Sequence, residues 1–295
     1  MKIDTHQHYW RYQAAEFPWI NKGMPALQRD CMPDDCANDL RIAAVDAVVA
    51  VQARTMVEET DFLLNLATQY PQVVGVIGWA DLASAELPHK LAQWRMHPAF
   101  KGLRHILQDE PDVGAWVNAP ANNQGVRALQ EHALVYEVLV FEHQLPSVIS
   151  FCGRHDQHWL VLDHVGKPAL RDWHPGTGRA AIWREHLREL AAMPHVMCKL
   201  SGLVTEALGP DAVALPTRAV NLIHACFDDA LSLFGPDRIM YGSDWPVCQL
   251  AAPYHKVYDM AETWASATLS PAQQTAFWSG NAVRCYKLTS PSLLT

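Results

Sequence analysis

Two histidines one residue apart, His6 and His8 in "MKIDTHQHYW", could hold a metal ion or polarise a carbonyl. Asp244 in "IMYGSDWPV" could deprotonate a water, and His164 in "LVLDHVGKP" is a further polar candidate. Each also has a plain reading. A His-x-His near a terminus describes two surface histidines, and an aspartate before Trp-Pro describes a turn or a helix cap. The elements that carry them decide between the readings.

Eight apolar runs recur along the chain, at 2–9, 46–53, 73–80, 100–107, 136–143, 159–166, 196–203 and 238–245. They are mostly continuous Val/Ile/Leu stretches, as expected for parallel strands buried on both faces. Helical patterns separate them. Residues 58–70 put Phe62, Leu63, Leu66 and Ala67 on one face, and residues 178–193 put Ile182, Trp183, Leu187, Leu190 and Ala191 on one face. Ser270, Pro271 and Gln273 form a capping-box start to a late helix. Eight strands alternating with helices predict a (β/α)8 TIM barrel, in a single domain spanning 1–295. An open doubly wound sheet is the alternative, but "THQHYWRYQ" after the first strand lacks the glycines of a phosphate turn.

In such a barrel the working residues gather at the C-terminal ends of the strands. His6 and His8 then share a face, with Asp4 on that face one step deeper. Asp244 ends the last strand and faces the same mouth, with Gly242 and Ser243 allowing a close turn. Asp163 and His164 are adjacent, so one of them enters the site. His164 is the expected one, with Asp163 towards the helices. Arg104, whose guanidinium suits oxygen-rich ligands, is the expected substrate clamp. His105, Trp10, Trp245 and Lys199 are further substrate-binding candidates. Glu142, His143, Ser201 and Glu206 are weaker ones, and Lys167 reads as a solvated lysine.

Composition narrows the function. The 295 residues are 49% hydrophobic and 18% charged, enough for a large core. The net charge of -8 with no basic block argues against nucleic acid. No apolar run reaches the roughly 18 residues of a membrane span, and the opening residues lack the charged region followed by an apolar one that marks a secretory leader. Seven scattered cysteines predict reduced thiols and a cytoplasmic location. Cys31 and Cys36, without a second close pair, do not make a zinc site, and Cys248 has no basic neighbour to activate it. Neither a Gly-x-Ser-x-Gly elbow nor a Walker loop is present.

The stretches "DTHQHYW" (4–10), "VVAVQA" (48–53), "KGLRHILQDEPD" (101–112), "LVLDHVGKP" (160–168), "CKLSGLVTEA" (198–207) and "YGSDWPVC" (241–248), in this order, resemble the amidohydrolase superfamily, in its family 2 lactonase branch. The resemblance spans nearly the whole chain. It implies hydrolysis of an aldonolactone to its aldonic acid, with L-fuconolactone or a related L-galacto-configured lactone the expected substrate and L-rhamnonolactone the alternative. Asp244 would be the base for water, with His6, His8 or His164, together with Arg104, on the carbonyl oxygen. Many superfamily members hold one or two divalent ions. Here the binuclear set is incomplete, with Lys199 on the seventh strand rather than the fourth. The lactonase branch that the chain resembles works without a metal, so the resemblance implies metal-independent catalysis without a cofactor, with adventitious zinc at His6, His8, His164 and Asp244 as the open alternative. A zinc-dependent decarboxylase and an inactive scaffold barrel are rival readings, and a homo-oligomer is compatible with the sequence.

Overall fold

The computed structural model describes residues 1–174, 176–208 and 215–289. Pro175, 209–214 and 290–295, which the expected 1–295 domain includes, lie outside the described residues. The strands are β1 (Ile3–Gln7), β2 (Ala47–Val51), β3 (Val73–Gly78), β4 (Phe100–His105), β5 (Val135–Val138), β6 (Leu160–Leu162), β7 (Val196–Leu200) and β8 (Ile239–Tyr241). They form one sheet in sequential order, with every neighbouring pair parallel. The seam between β8 and β1 closes through the backbone. His8 N donates to Trp245 O (2.7 Å) and Asp244 N to His6 O (2.9 Å). The expected (β/α)8 barrel is the observed fold.

Alternation along the strands builds two apolar layers. Ile3, Val49, Val51, Ile77, Val135, Val161, Met197 and Met240 fill the barrel, with Ala282, Cys285 and Tyr286 of the helix Asn281–Tyr286 packed against them. The opposite residues, such as Val48, Val76, Leu103, Tyr136, Leu162 and Tyr241, pack outward in the other core with the helices. Full burial of a Val, Leu or Ile side chain contributes about 1.5–3 kcal/mol, so this double layer is the main source of stability.

The helix Arg179–Ala191 buries Trp183, Leu187, Leu190 and Ala191, but Ile182 is 58% exposed, one position off the expected face. The helix Glu58–Gln69 buries Leu63, Leu64 and Leu66, with Phe62 and Ala67 partly buried at its edges. Ser270 Oγ accepts from Gln273 N (3.4 Å) and Gln273 Oε1 from Ser270 N (2.9 Å), completing the expected capping box. All seven cysteines are free and buried.

Candidate active site

The strands end sooner than their apolar runs, and the residues just beyond them form the site. β6 stops at Leu162, and His164 and Val165 turn left-handed at φ 52° and 54°. Strand alternation ends there. Both Asp163 and His164 consequently enter the barrel mouth, which corrects the expectation that Asp163 faces the helices. Asp163 accepts from Arg104 Nη1 (2.9 Å) and lies 3.5 Å from His6 Nδ1. Asp4 is displaced the other way. The β1–β2 register shifts between Asp4 and Gln7, and Asp4 accepts from Gln7 Nε2 (2.7 Å) and Ser243 N (2.8 Å). Gln7 in turn approaches Cys36 of the helix Pro33–Ala43, so this pair serves the helix layer and not the mouth.

His6, His8, His164 and Asp244 do meet. The His6 ring lies 4.8 Å from that of His8 and 4.5 Å from that of His164. Asp244 Oδ1 is 3.3 Å from His8 Nε2 and 3.8 Å from His6 Nε2. Asp244 has φ 62°, a left-handed conformation that aims its carboxylate inward. Gly242 makes room beneath: a Cβ there would stand 2.7 Å from His6 Cβ. His164 Nδ1 is held by Ser201 Oγ (2.9 Å).

His8, Arg104, His164 and Asp244 line one side of a cavity of about 860 Å³, with His6 fully buried behind them. Its outer wall comes from βα loops and from the long segment after β1: Trp19, Met24, Gln108, Phe141, Lys167 and Glu206. Lys167 is not a free lysine. Its Nζ donates to Gln108 Oε1 (2.9 Å) and lies 3.6 Å from Glu206. Nothing in the periodicity marks Trp19 or Gln108. Loop placement at the C-terminal ends of strands was the one available signal.

Four expected substrate-binding residues stand elsewhere. His105 alternates with Arg104 on β4 and so faces out, bonded to Glu110 (2.6 Å) and stacked on Trp116. Trp10 is 1% exposed, donates to Arg29 O (2.8 Å) and packs on Phe17 and Trp19. Trp245 is fully buried against Tyr9, because the turn that brings Asp244 inward sends its neighbour outward. Lys199 points into the barrel but sits below the cavity floor, fully buried, with Nζ 2.7 Å from both oxygens of Glu137. Glu142, a weaker candidate, holds Ala169 N, Trp173 and Arg179 in the loop beyond β6.

Burial and charge set the proton positions. Burial would raise Asp244, but His164, His8 and Lys167 outweigh it and hold the carboxyl below its ordinary value, so it is ionised. Burial, then the Lys199 charge, lowers His6 well below the ordinary value of an imidazole. Burial likewise lowers His164, against the pull of Asp244. Both rings are neutral near pH 7. Burial would raise Asp163 too, but Lys199, His6 and Arg104 hold it well below its ordinary value. Burial and the Asp163 charge push Glu137 up to about 7.

The donor set fits a cation. His8 Nδ1 lies 2.9 Å from Val51 O, a carbonyl that can only accept, so Nδ1 carries a proton. Its Nε2 then faces the Asp244 carboxylate, another pure acceptor. A shared proton, or a cation between them, must reconcile the two. One ligand atom each from His6, His8 and Asp244 lies within 4.8 Å of the others, and the same holds for His6, Asp163 and His164.

Barrel and site together define the class: the chain belongs to the amidohydrolase family, whose model matches residues 3–288. It is 50% identical over 294 residues to an L-fucono-1,5-lactonase of Burkholderia multivorans, covering 99% of this chain and 98% of the relative. A second L-fucono-1,5-lactonase, from Burkholderia ambifaria, is 34% identical over 99% of this chain and 97% of its own length. An amidohydrolase from Burkholderia multivorans, 50% identical, superposes over 98% of this chain and all of its own. The TM-score is 0.95 for its crystal form with bound HEPES and 0.93 for that with bound zinc.

Proposed function

We propose that this chain is a sugar lactonase that opens L-fuconolactone, or a related L-galacto-configured aldonolactone, to the aldonic acid. The carrying observation is the ionised Asp244 with His8, His164 and Arg104 at one wall of the 860 Å³ cavity and His6 packed behind them, in a chain half-identical to an L-fucono-1,5-lactonase over its length. Asp244 takes a proton from a water as its oxygen attacks the lactone carbonyl carbon. Arg104 and the neutral His164, both on the cavity wall, donate hydrogen bonds to the carbonyl oxygen as it becomes an oxyanion. The ring C–O bond then breaks, and Asp244 returns the proton to the leaving alkoxide. A lactone has a better leaving group than an amide, so one carboxylate serving as base and then acid suffices.

A divalent ion, when bound, would be held by His6, His8 and Asp244 and would supply Lewis-acid polarisation. We infer that the hydrolysis does not depend on it. Arg104 and Lys199 already set cationic N–H groups 3.2 and 3.0 Å from the two nitrogens of His6. The chain's own cations thus provide the positive field on this side of the site. Free, buried thiols support a reducing compartment such as the cytoplasm. No helix among the described residues is long and apolar enough to cross a membrane.

The test is a panel of L-fucono-, L-rhamnono- and L-galactono-lactones followed by pH indicator, with and without chelator. Hydrolysis that survives chelation is the expected result. Loss of turnover with the metal would overturn the metal-independent route, and no turnover of any aldonolactone would overturn the function.

A further inference from the structure

Lys199 lies under the site and touches no cavity, yet it bonds His6, whose ring packs against His8 and His164 of the cavity wall. We propose that Lys199 is a positioning residue: its ammonium, anchored by Glu137, donates to His6 Nδ1 and so places the ring's proton on Nε2, the nitrogen nearer Asp244. Lys199 sits on β7 and is fully buried. An ammonium has three N–H donors and no lone pair. Glu137 takes bonds from Lys199 to both of its oxygens at 2.7 Å and is itself fixed by Tyr286 Oη at 2.6 Å. The remaining N–H faces His6 Nδ1 at 3.0 Å and, farther off, Asp163 Oδ1 at 3.4 Å.

His6 is also approached from its other side, by Arg104 Nη1 at 3.2 Å from Nε2. A neutral imidazole accepts at one nitrogen only. Both Nη atoms of Arg104 have acceptors elsewhere, Nη2 in Gln52 O (2.6 Å) and Nη1 in Asp163 Oδ2 (2.9 Å). Beyond Glu137, the nearer acceptor for Lys199 among the described residues is His6 Nδ1 at 3.0 Å, against 3.4 Å for Asp163 Oδ1, so the acceptor nitrogen is Nδ1. The proton on Nε2 then faces Asp244 Oδ1, 3.8 Å away, and favours the ionised carboxylate that takes the water's proton. Without Lys199 the other tautomer is favoured. Nδ1–H would turn to Asp163 Oδ1, which is 3.5 Å away and has no hydrogen-bond partner among the described residues. Nε2 would then accept from Arg104, and the donor near Asp244 would be lost.

The kinetic part of this inference rests on the lactonase reading; the tautomer does not. Lys199→Met alone strands Glu137 in the barrel, so the pair is removed together as Lys199→Met/Glu137→Gln. Imidazole 15N shifts of the chelator-treated full chain report the tautomer, with His6 assigned by its loss in His6→Gln. The expected wild-type spectrum has a bare Nδ1 and a protonated Nε2. The double variant, its fold checked by circular dichroism, is expected to reverse them and to lose about 10²-fold in kcat on L-fucono-1,5-lactone, as for a catalytic group whose support is displaced, with KM within about threefold. A wild-type proton on Nδ1 overturns the proposal, as does an unchanged tautomer in the variant or a reversed tautomer with unchanged kcat. If the double variant does not fold, the wild-type spectrum decides. A wild type inactive on every lactone sinks the function and leaves the tautomer measurement standing.

Discussion

Asp244→Asn separates the base from its scaffold. Asp244 is 4% exposed, with φ 62°. Asparagine matches aspartate in shape and tolerates that left-handed backbone, whereas alanine would add roughly 1–2 kcal/mol of strain. The seam bond from residue 244 N to His6 O is untouched by the change. What disappears is the negative charge 3.3 Å from His8 Nε2 and the lone pair that takes the water's proton. Losing a general base removes about 10²–10⁴ in rate, or about 2.7–5.4 kcal/mol of transition-state stabilisation. Losing one charged hydrogen bond costs stability only about 1.5–3 kcal/mol, a fall in Tm of roughly 2–5 °C for a chain of this size. The assay is L-fucono-1,5-lactone hydrolysis by pH indicator on purified protein, with thermal melting in parallel. A folded variant turning over within threefold of wild type on every lactone tested would refute Asp244 as the base.

Other expectations concern the supports of the site. Gly202 has φ +68° and a Cβ there would stand 2.5 Å from His164 Nδ1, so Gly202→Ala should displace His164 from Ser201 and lower kcat at least about tenfold; steady-state kinetics checks it. Trp10→Phe should leave KM within about twofold while lowering stability by about 1–2 kcal/mol through the lost bond to Arg29 O, as denaturant titration would show. A large KM change would instead return Trp10 to the substrate. Because its neighbours hold Asp244 below the ordinary carboxylate value, kcat/KM should stay level as pH falls past 5 and decline only below about 4, the ordinary aspartate value; a midpoint near 6 would point to another base. Burial, with Arg127 and Arg154, pushes His155 down to about 4. Its folded value thus lies below the unfolded 6.5, and the unfolded chain takes up the proton first. That contribution is complete above pH 6.5 and is lost as pH falls towards 4. His155→Gln should flatten the Tm against pH across that window.

The eight-strand order, the barrel and the strand-end placement of His6, His8, Asp244, His164 and Arg104 were legible in the sequence, because burial on both faces writes continuous apolar runs and the barrel puts their ends in one mouth. Periodicity held only while the strand did. It failed at Asp4, where a register shift intervenes, and at Asp163, where β6 has already ended in left-handed backbone. It could not show that Trp10 and Trp245 would pack while Trp19 would line the cavity, since that depends on how the segment after β1 folds back. Nor could it show that Lys199 is sealed beneath His6 by Glu137 and Tyr286. Those three residues lie on two strands and the last helix. A sequence states the types and spacing of its residues, but which distant groups share one buried volume, and so set each other's protons, exists only once the chain has closed on itself.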